Sequence, residues 1–149
     1  EQPSAIGSRI LLKRIARVYG FMTMPPMPPR PRDVEARAAS VRAVLEYVMR
    51  AKNPVLGLAP EGYDPPTEAL TRPAAGVGRF ALLLSGAGMK FIPVGVYELA
   101  GVLYLHFGQQ YRLSVEGKRS ADERDQLATQ ILMQNIACLL PSHLRGEFA

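Results

Sequence analysis

The sequence predicts an α/β fold, a mainly parallel mixed sheet flanked by helices, and three observations predict it. Two apolar runs of strand length, Val55-Leu56-Gly57-Leu58-Ala59 and Phe91-Ile92-Pro93-Val94-Gly95-Val96-Tyr97, are bounded by turn residues and read as buried strands. A segment with apolar residues at helical spacing precedes each run. The first run stops at Pro60-Glu61-Gly62, where a strand would exit the sheet. Helices alternating with buried strands imply parallel neighbours joined by right-handed crossovers, with ligands beyond the strands' carboxyl ends. Glu61 is then a carboxylate held at that exit between a stiff proline and a permissive glycine.

With 149 residues the chain fits a single domain that can bury a core. It opens at Glu1 rather than Met, and the domain is expected to be incomplete at its N-terminus. The net charge of +5 points to an anionic partner: a phosphate ester, a phospholipid surface or nucleic acid. The single cysteine, Cys138, rules out an internal disulfide and a zinc cluster and fits a reducing compartment. No apolar run reaches transmembrane length, and no signal peptide is recognisable. The expected location is cytoplasmic, with peripheral binding to a membrane as an option.

Taken in order, residues 10–21 place Ile10, Leu11, Leu12, Ile15, Val18 and Tyr19 at helical spacing, with Lys13, Arg14 and Arg17 mostly opposite. That pattern fits an ordinary surface helix or one lying on anionic lipid. Residues 25–32, Pro-Pro-Met-Pro-Pro-Arg-Pro-Arg, form a stiff polyproline connector or a ligand for an SH3-type module. Arg30 and Arg32 at its end are either solvated or placed to meet a substrate phosphate.

Asp33 caps a predicted helix through Ala51, with Val34, Ala38, Val41, Leu45, Val48 and Met49 as its buried stripe. Asn53-Pro54 ends it. After the first strand, Tyr63-Asp64-Pro65-Pro66 makes a surface loop. Pro73 suits the first turn of the next helix, whose inward face is Val77, Phe80, Ala81 and Leu84, and Gly86 and Gly88 close it. In the second run Pro93 belongs near the strand's start or at a bulge. Residues 102–107 and 111–115 read as two more strands, paired around Gly108-Gln109-Gln110. Ser120-Ala121-Asp122-Glu123 is a capping box for a helix carrying Leu127, Ile131, Leu132, Ile136 and Leu139, stopped by Pro141.

Several familiar motifs fail. Gly57 and Gly62 have phosphate-loop spacing, but Tyr63 and Asp64 stand where Lys and Ser/Thr are required. Gly76-Val77-Gly78-Arg79-Phe80-Ala81 spells a dinucleotide fingerprint without a strand before it. There is no Gly-x-Ser-x-Gly elbow, and no aromatic and basic platform for nucleic acid. His106 reads as a packed or edge histidine on a strand, and His143 lies in the tail.

What survives is an ordered set: Pro60-Glu61-Gly62 at a strand exit, a helix opening at Ala74-Ala75-Gly76-Val77-Gly78-Arg79, then Phe91-Ile92-Pro93-Val94-Gly95-Val96. This set resembles the glycerol-phosphate and lysophosphatidate acyltransferase family. That family has a strand ending Phe-Pro-Glu-Gly-Thr-Arg, a Lys/Gly-rich loop into a helix, and a strand with a Val-Pro-Val core. Residues 18–32 fall where the family's second block, a Gly-x-x-x-x-Arg-like strand, would lie. The likeness runs from about Ile10 to Leu140, with Gly76 at the family's usual glycine. Tyr63-Asp64 replaces the family's Thr-Arg, and alanines replace the basic residues before Gly76. The family's catalytic His-(four residues)-Asp is missing: Tyr111 follows His106 at that spacing, and Phe148 follows His143.

The resemblance implies transfer of a fatty acyl group from acyl-CoA or acyl-carrier protein, as co-substrate, to a hydroxyl of a lysophospholipid or related acceptor. It implies Glu61, Gly62, Tyr63, Arg30 and Arg32 on the substrate, and Pro60, Gly76 and Pro93 as structural motif residues. No catalytic residue, metal, other cofactor or nucleic-acid partner is expected in this chain. A carboxylate fixed beside backbone N–H groups can orient a polyol headgroup, although Glu61 can equally serve only to cap its loop. The alternatives are a non-catalytic binding or scaffold domain of the same fold, or an unrelated α/β domain that binds an anion or a protein.

Overall fold

The computed structural model describes Gly20, residues 33–62 and residues 68–149. The expected helix at 10–21 and connector at 25–32 lie outside the described residues, as do Arg30, Arg32 and the loop from Tyr63 to Pro66. The chain divides into two compact units, Glu1–Val44 and Leu45–Ala149. The described elements are α1 (Val34–Arg50), α2 (Val77–Gly86), β1 (Val94–Leu99), β2 (Val102–Phe107) and α3 (Ala121–Ala137). Two short 3₁₀ turns follow, Ser142–Leu144 and Gly146–Phe148.

The parallel sheet is not there. Among the described residues the sheet is a two-stranded antiparallel hairpin of β1 and β2, in register from Val94↔Phe107 to Leu99↔Val102. The run at 55–59 has no ladder partner among the described residues, and Val55 is 82% exposed. Pro54 and Pro60 bracket it without N–H groups, and Pro93 removes a donor just before β1 begins. An apolar run bounded by prolines therefore lies in an irregular segment, tied at one end by the Tyr47 hydroxyl, which donates to the Val55 carbonyl at 3.3 Å. The expected strand at 111–115 is also absent. Tyr111 makes one isolated antiparallel bridge to Phe91, and β2 turns back on β1 through Ala100-Gly101 instead.

The three described helices lie close to where the sequence predicts them, and their buried faces differ more. In α1 Val44 and Val48 are buried one turn apart, whereas Val34 and Met49 are exposed. Pro73 is buried ahead of α2, which starts at Val77. In α3 the Ser120 and Glu123 capping box forms as the sequence predicts. Its buried side is Asp125, Ala128, Thr129, Leu132, Met133 and Ala137, while Leu127 is exposed.

The core of the second unit joins Ala81 of α2, Leu113, Phe148, and Ala128, Leu132, Met133 and Ala137 of α3. Small residues let α2 and α3 approach closely. A Cβ on Gly78 would collide with the Asp125 carbonyl and Thr129. The C-terminal turns are fastened to the segment before α2. The Leu70 N–H donates to the Leu144 carbonyl at 2.9 Å, and Arg72 pairs with Glu147 at 2.6 Å.

Candidate functional site

A cavity of about 480 Å³ opens in the second unit, within the range of ~300–1,000 Å³ usual for small-molecule sites. Residues 56–61 form one wall and residues 89–94 another, and Leu132, Met133, Ile136 and Leu140 supply a third from α3 and the turn after it. Its lining is aliphatic and aromatic apart from Glu61, Lys90 and the Tyr111 side chain. The two motif stretches that the sequence singled out, Pro60-Glu61 and Phe91-Ile92-Pro93-Val94, thus border one space without being paired strands.

Glu61 is half-buried in a turn. The Thr71 backbone N–H donates to its Oε1 at 2.6 Å, and the Thr71 hydroxyl donates to the same oxygen at 2.7 Å. Two charge-assisted bonds on one oxygen fix the carboxylate against the segment leading to α2. Gly62 follows at φ 71°, a left-handed conformation in which a Cβ is strained. It is exposed and serves the turn. Tyr63 lies outside the described residues, with Arg30 and Arg32. Pro93 is buried at the foot of β1. Tyr111 is half-buried, and loss of solvent raises its phenol above its ordinary value of 10.0.

Gly76 is the N-cap of α2 at φ 98°, which explains a glycine there. The helix's free N–H groups are already occupied. The Gly76 N–H donates to Asp125 Oδ2 at 2.7 Å, and the Arg79 N–H donates to Asp125 Oδ1 at 2.6 Å. A buried carboxylate from α3 sits where a phosphate would bind at a helix start. The Gly76–Gly78 pattern therefore serves helix capping and close helix packing, which agrees with discarding it as a dinucleotide fingerprint.

His106 is exposed on β2. Its Nδ1 lies 3.1 Å from the Leu139 carbonyl, which can only accept, so that nitrogen carries the proton. Its ring meets Tyr97 and Tyr104 edge-on, and those two rings stack 5.1 Å apart. This is a packing histidine with no carboxylate partner in the contacts it makes. Among the described residues no three His, Cys, Asp or Glu side chains converge as metal ligands.

Three residues escaped the sequence reading. Lys90 and Thr71 adjoin motif stretches, but a lone cation and a lone threonine carry no pattern of their own. Asp125 could have been suspected, because it lies at i−3 and i−7 from Ala128 and Leu132 on the inward face of α3. Comparison with protein-family models, with curated proteins and with solved structures finds no match.

Proposed function

We propose that this chain is the acceptor-binding part of an acyltransferase that moves a fatty acyl group from acyl-CoA or acyl-carrier protein to a hydroxyl of a lysophospholipid or similar amphiphile. The observation that carries this reading is the cavity itself. An apolar space is bordered jointly by the Pro-Glu-Gly stretch and the Phe-Ile-Pro-Val stretch, with one carboxylate and one ammonium, Glu61 and Lys90, as its charged lining. An amphiphile suits such a site. Its chain fills the apolar part, Lys90 attracts a phosphate, and the Glu61 carboxylate, fixed by Thr71, accepts from a headgroup hydroxyl.

The chain supplies no positioned general base, so transfer itself belongs to a longer protein with an upstream His-(four residues)-Asp pair, as in the family it resembles. Without such a pair the same cavity makes a non-catalytic lipid-binding domain, and the bonds that fix Glu61 to Thr71 are equally what such a domain needs.

The test is binding of lysophosphatidate and of a single-chain acyl probe to the 149-residue chain, followed by fluorescence. Leu58→Trp, which narrows the cavity from a half-open position, should abolish binding, and Glu61→Gln should weaken a hydroxyl-bearing acceptor more than a fatty acid. Binding that survives Leu58→Trp unchanged would place the ligand elsewhere and end the reading.

A further inference from the structure

The β1–β2 hairpin shows two different faces. On one, Gly95 packs on Leu139, His106 bonds the Leu139 carbonyl, and Tyr97 stacks on Tyr104. Alternate residues point the other way. There the register sets Val94 against Phe107, Val96 against Leu105 and Glu98 against Leu103, and Ile92 extends the row. Val96, Leu105 and Phe107 are 54%, 50% and 69% exposed, a contiguous aliphatic surface that water should not favour. Val94 and Val96 also line the cavity, so surface and cavity are continuous.

We infer that this hairpin face docks on an anionic lipid surface, from which a single-chain amphiphile can enter the cavity without crossing water. Charge complementarity supports lipid. Lys90 and Arg112 flank the Phe91–Tyr111 bridge at the foot of the face, and both are exposed. Composition supports it too. Protein-docking centres favour Trp, Tyr and Arg, whereas this face is valine, leucine and isoleucine with one phenylalanine, and its one carboxylate, Glu98, lies at the hairpin's turn end, away from Lys90 and Arg112. The depth is limited by the backbone. Among the described residues no third strand pairs with the hairpin, and hydrocarbon does not tolerate open sheet edges, so the face rests at the headgroup boundary. Docking of this kind does not depend on acyl transfer.

The experiment is sedimentation of the full chain with phosphatidylcholine vesicles, with and without phosphatidylserine. Binding should require phosphatidylserine and fall as salt rises. Lys90→Gln and Arg112→Gln should each weaken it about fivefold. The double variant Leu105→Gln/Phe107→Gln should weaken it about tenfold or more, and circular dichroism should show it folded because both side chains are exposed. Three outcomes overturn the inference. One is no binding by the unaltered chain. The second is hairpin variants that bind normally while Lys13→Glu/Arg14→Glu/Arg17→Glu does not bind. The third is a dimer in solution that the double variant dissociates, which would make a second copy the occupant.

Discussion

Thr71 holds Glu61 through two bonds to a single oxygen, the backbone N–H at 2.6 Å and the hydroxyl at 2.7 Å, both on Oε1. One carboxylate oxygen is thereby anchored ten residues along the chain. Thr71 is in turn flanked by Leu70, bonded to the Leu144 carbonyl, and by Arg72, paired with Glu147. The position of Glu61 thus depends on the C-terminal turns as well as on its own loop.

Stability should report this anchoring. Glu61→Ala removes the charge-assisted acceptor of two Thr71 bonds, at a cost of about 1–3 kcal/mol. Glu61→Gln keeps an acceptor oxygen and should cost less than half as much. Urea unfolding of the two variants measures the difference, and equal losses would mean that the charge rather than the acceptor matters.

Asp125 is the stronger structural carboxylate. It is buried and receives the N–H groups of Gly76 and Arg79, so Asp125→Ala leaves two donors of the α2 start without their acceptor. A loss of roughly 2–4 kcal/mol is expected. Gly78→Ala should be comparably damaging for a different reason, since its methyl meets backbone and Thr129 atoms of α3. Thermal unfolding of each variant checks both. A tolerated Gly78→Ala would show that α2 and α3 can separate at little cost.

The capping box of α3 gives a pH dependence. The Ser120 N–H donates to Glu123 Oε2 at 2.8 Å, and that bond, followed by the Ser120 hydroxyl, holds the Glu123 carboxyl below its ordinary value of 4.5. A carboxylate with a depressed value stabilises the fold fully above 4.5 and loses that contribution as pH falls through the lowered value. The helix start should therefore loosen only in acid, below about pH 4.5. Ser120→Ala, expected to cost about 0.5–2 kcal/mol, should also return the Glu123 titration, followed by NMR, toward its ordinary value.

What was legible in the sequence and what was not follows from which forces act locally. The helices are set by caps and spacing within a few residues, and the box at Ser120 and Glu123 is found where the residues predict it. Strands need a distant partner, and apolarity at 55–59 says nothing about whether one exists. The pattern of a buried strand and that of an exposed proline-bracketed segment are the same in one dimension. Asp125 was hidden for a related reason. A carboxylate near a helix start reads as solvated until the two N–H groups that bind it are brought in from 46 and 49 residues away. The candidate site is half visible: the sequence names Glu61 and Pro93, but what brings them together is a shared cavity rather than a shared sheet.

Acyl transfer by this chain alone is expected to be absent. Deprotonating a hydroxyl near neutral pH needs a base whose pKa lies near the working pH, and histidine is the usual one. His106 turns its Nδ1 to a backbone carbonyl and its ring to two tyrosines, and His143 lies exposed in a 3₁₀ turn at the C-terminal end. Among the described residues neither has a carboxylate partner that would orient it for this work. Glu61 Oε1 is already engaged by the Thr71 N–H and hydroxyl. A missing general base typically costs ~10²–10⁴-fold in rate. A longer chain that brings a His-(four residues)-Asp pair to the cavity should restore turnover, and Glu61→Ala in it should raise the KM for acceptor more than that for acyl donor. Release of free thiol from acyl-CoA in the presence of lysophosphatidate measures both chains. Rapid release by the 149-residue chain would show that one of its own groups is the base, and His106→Gln would be the first variant to make.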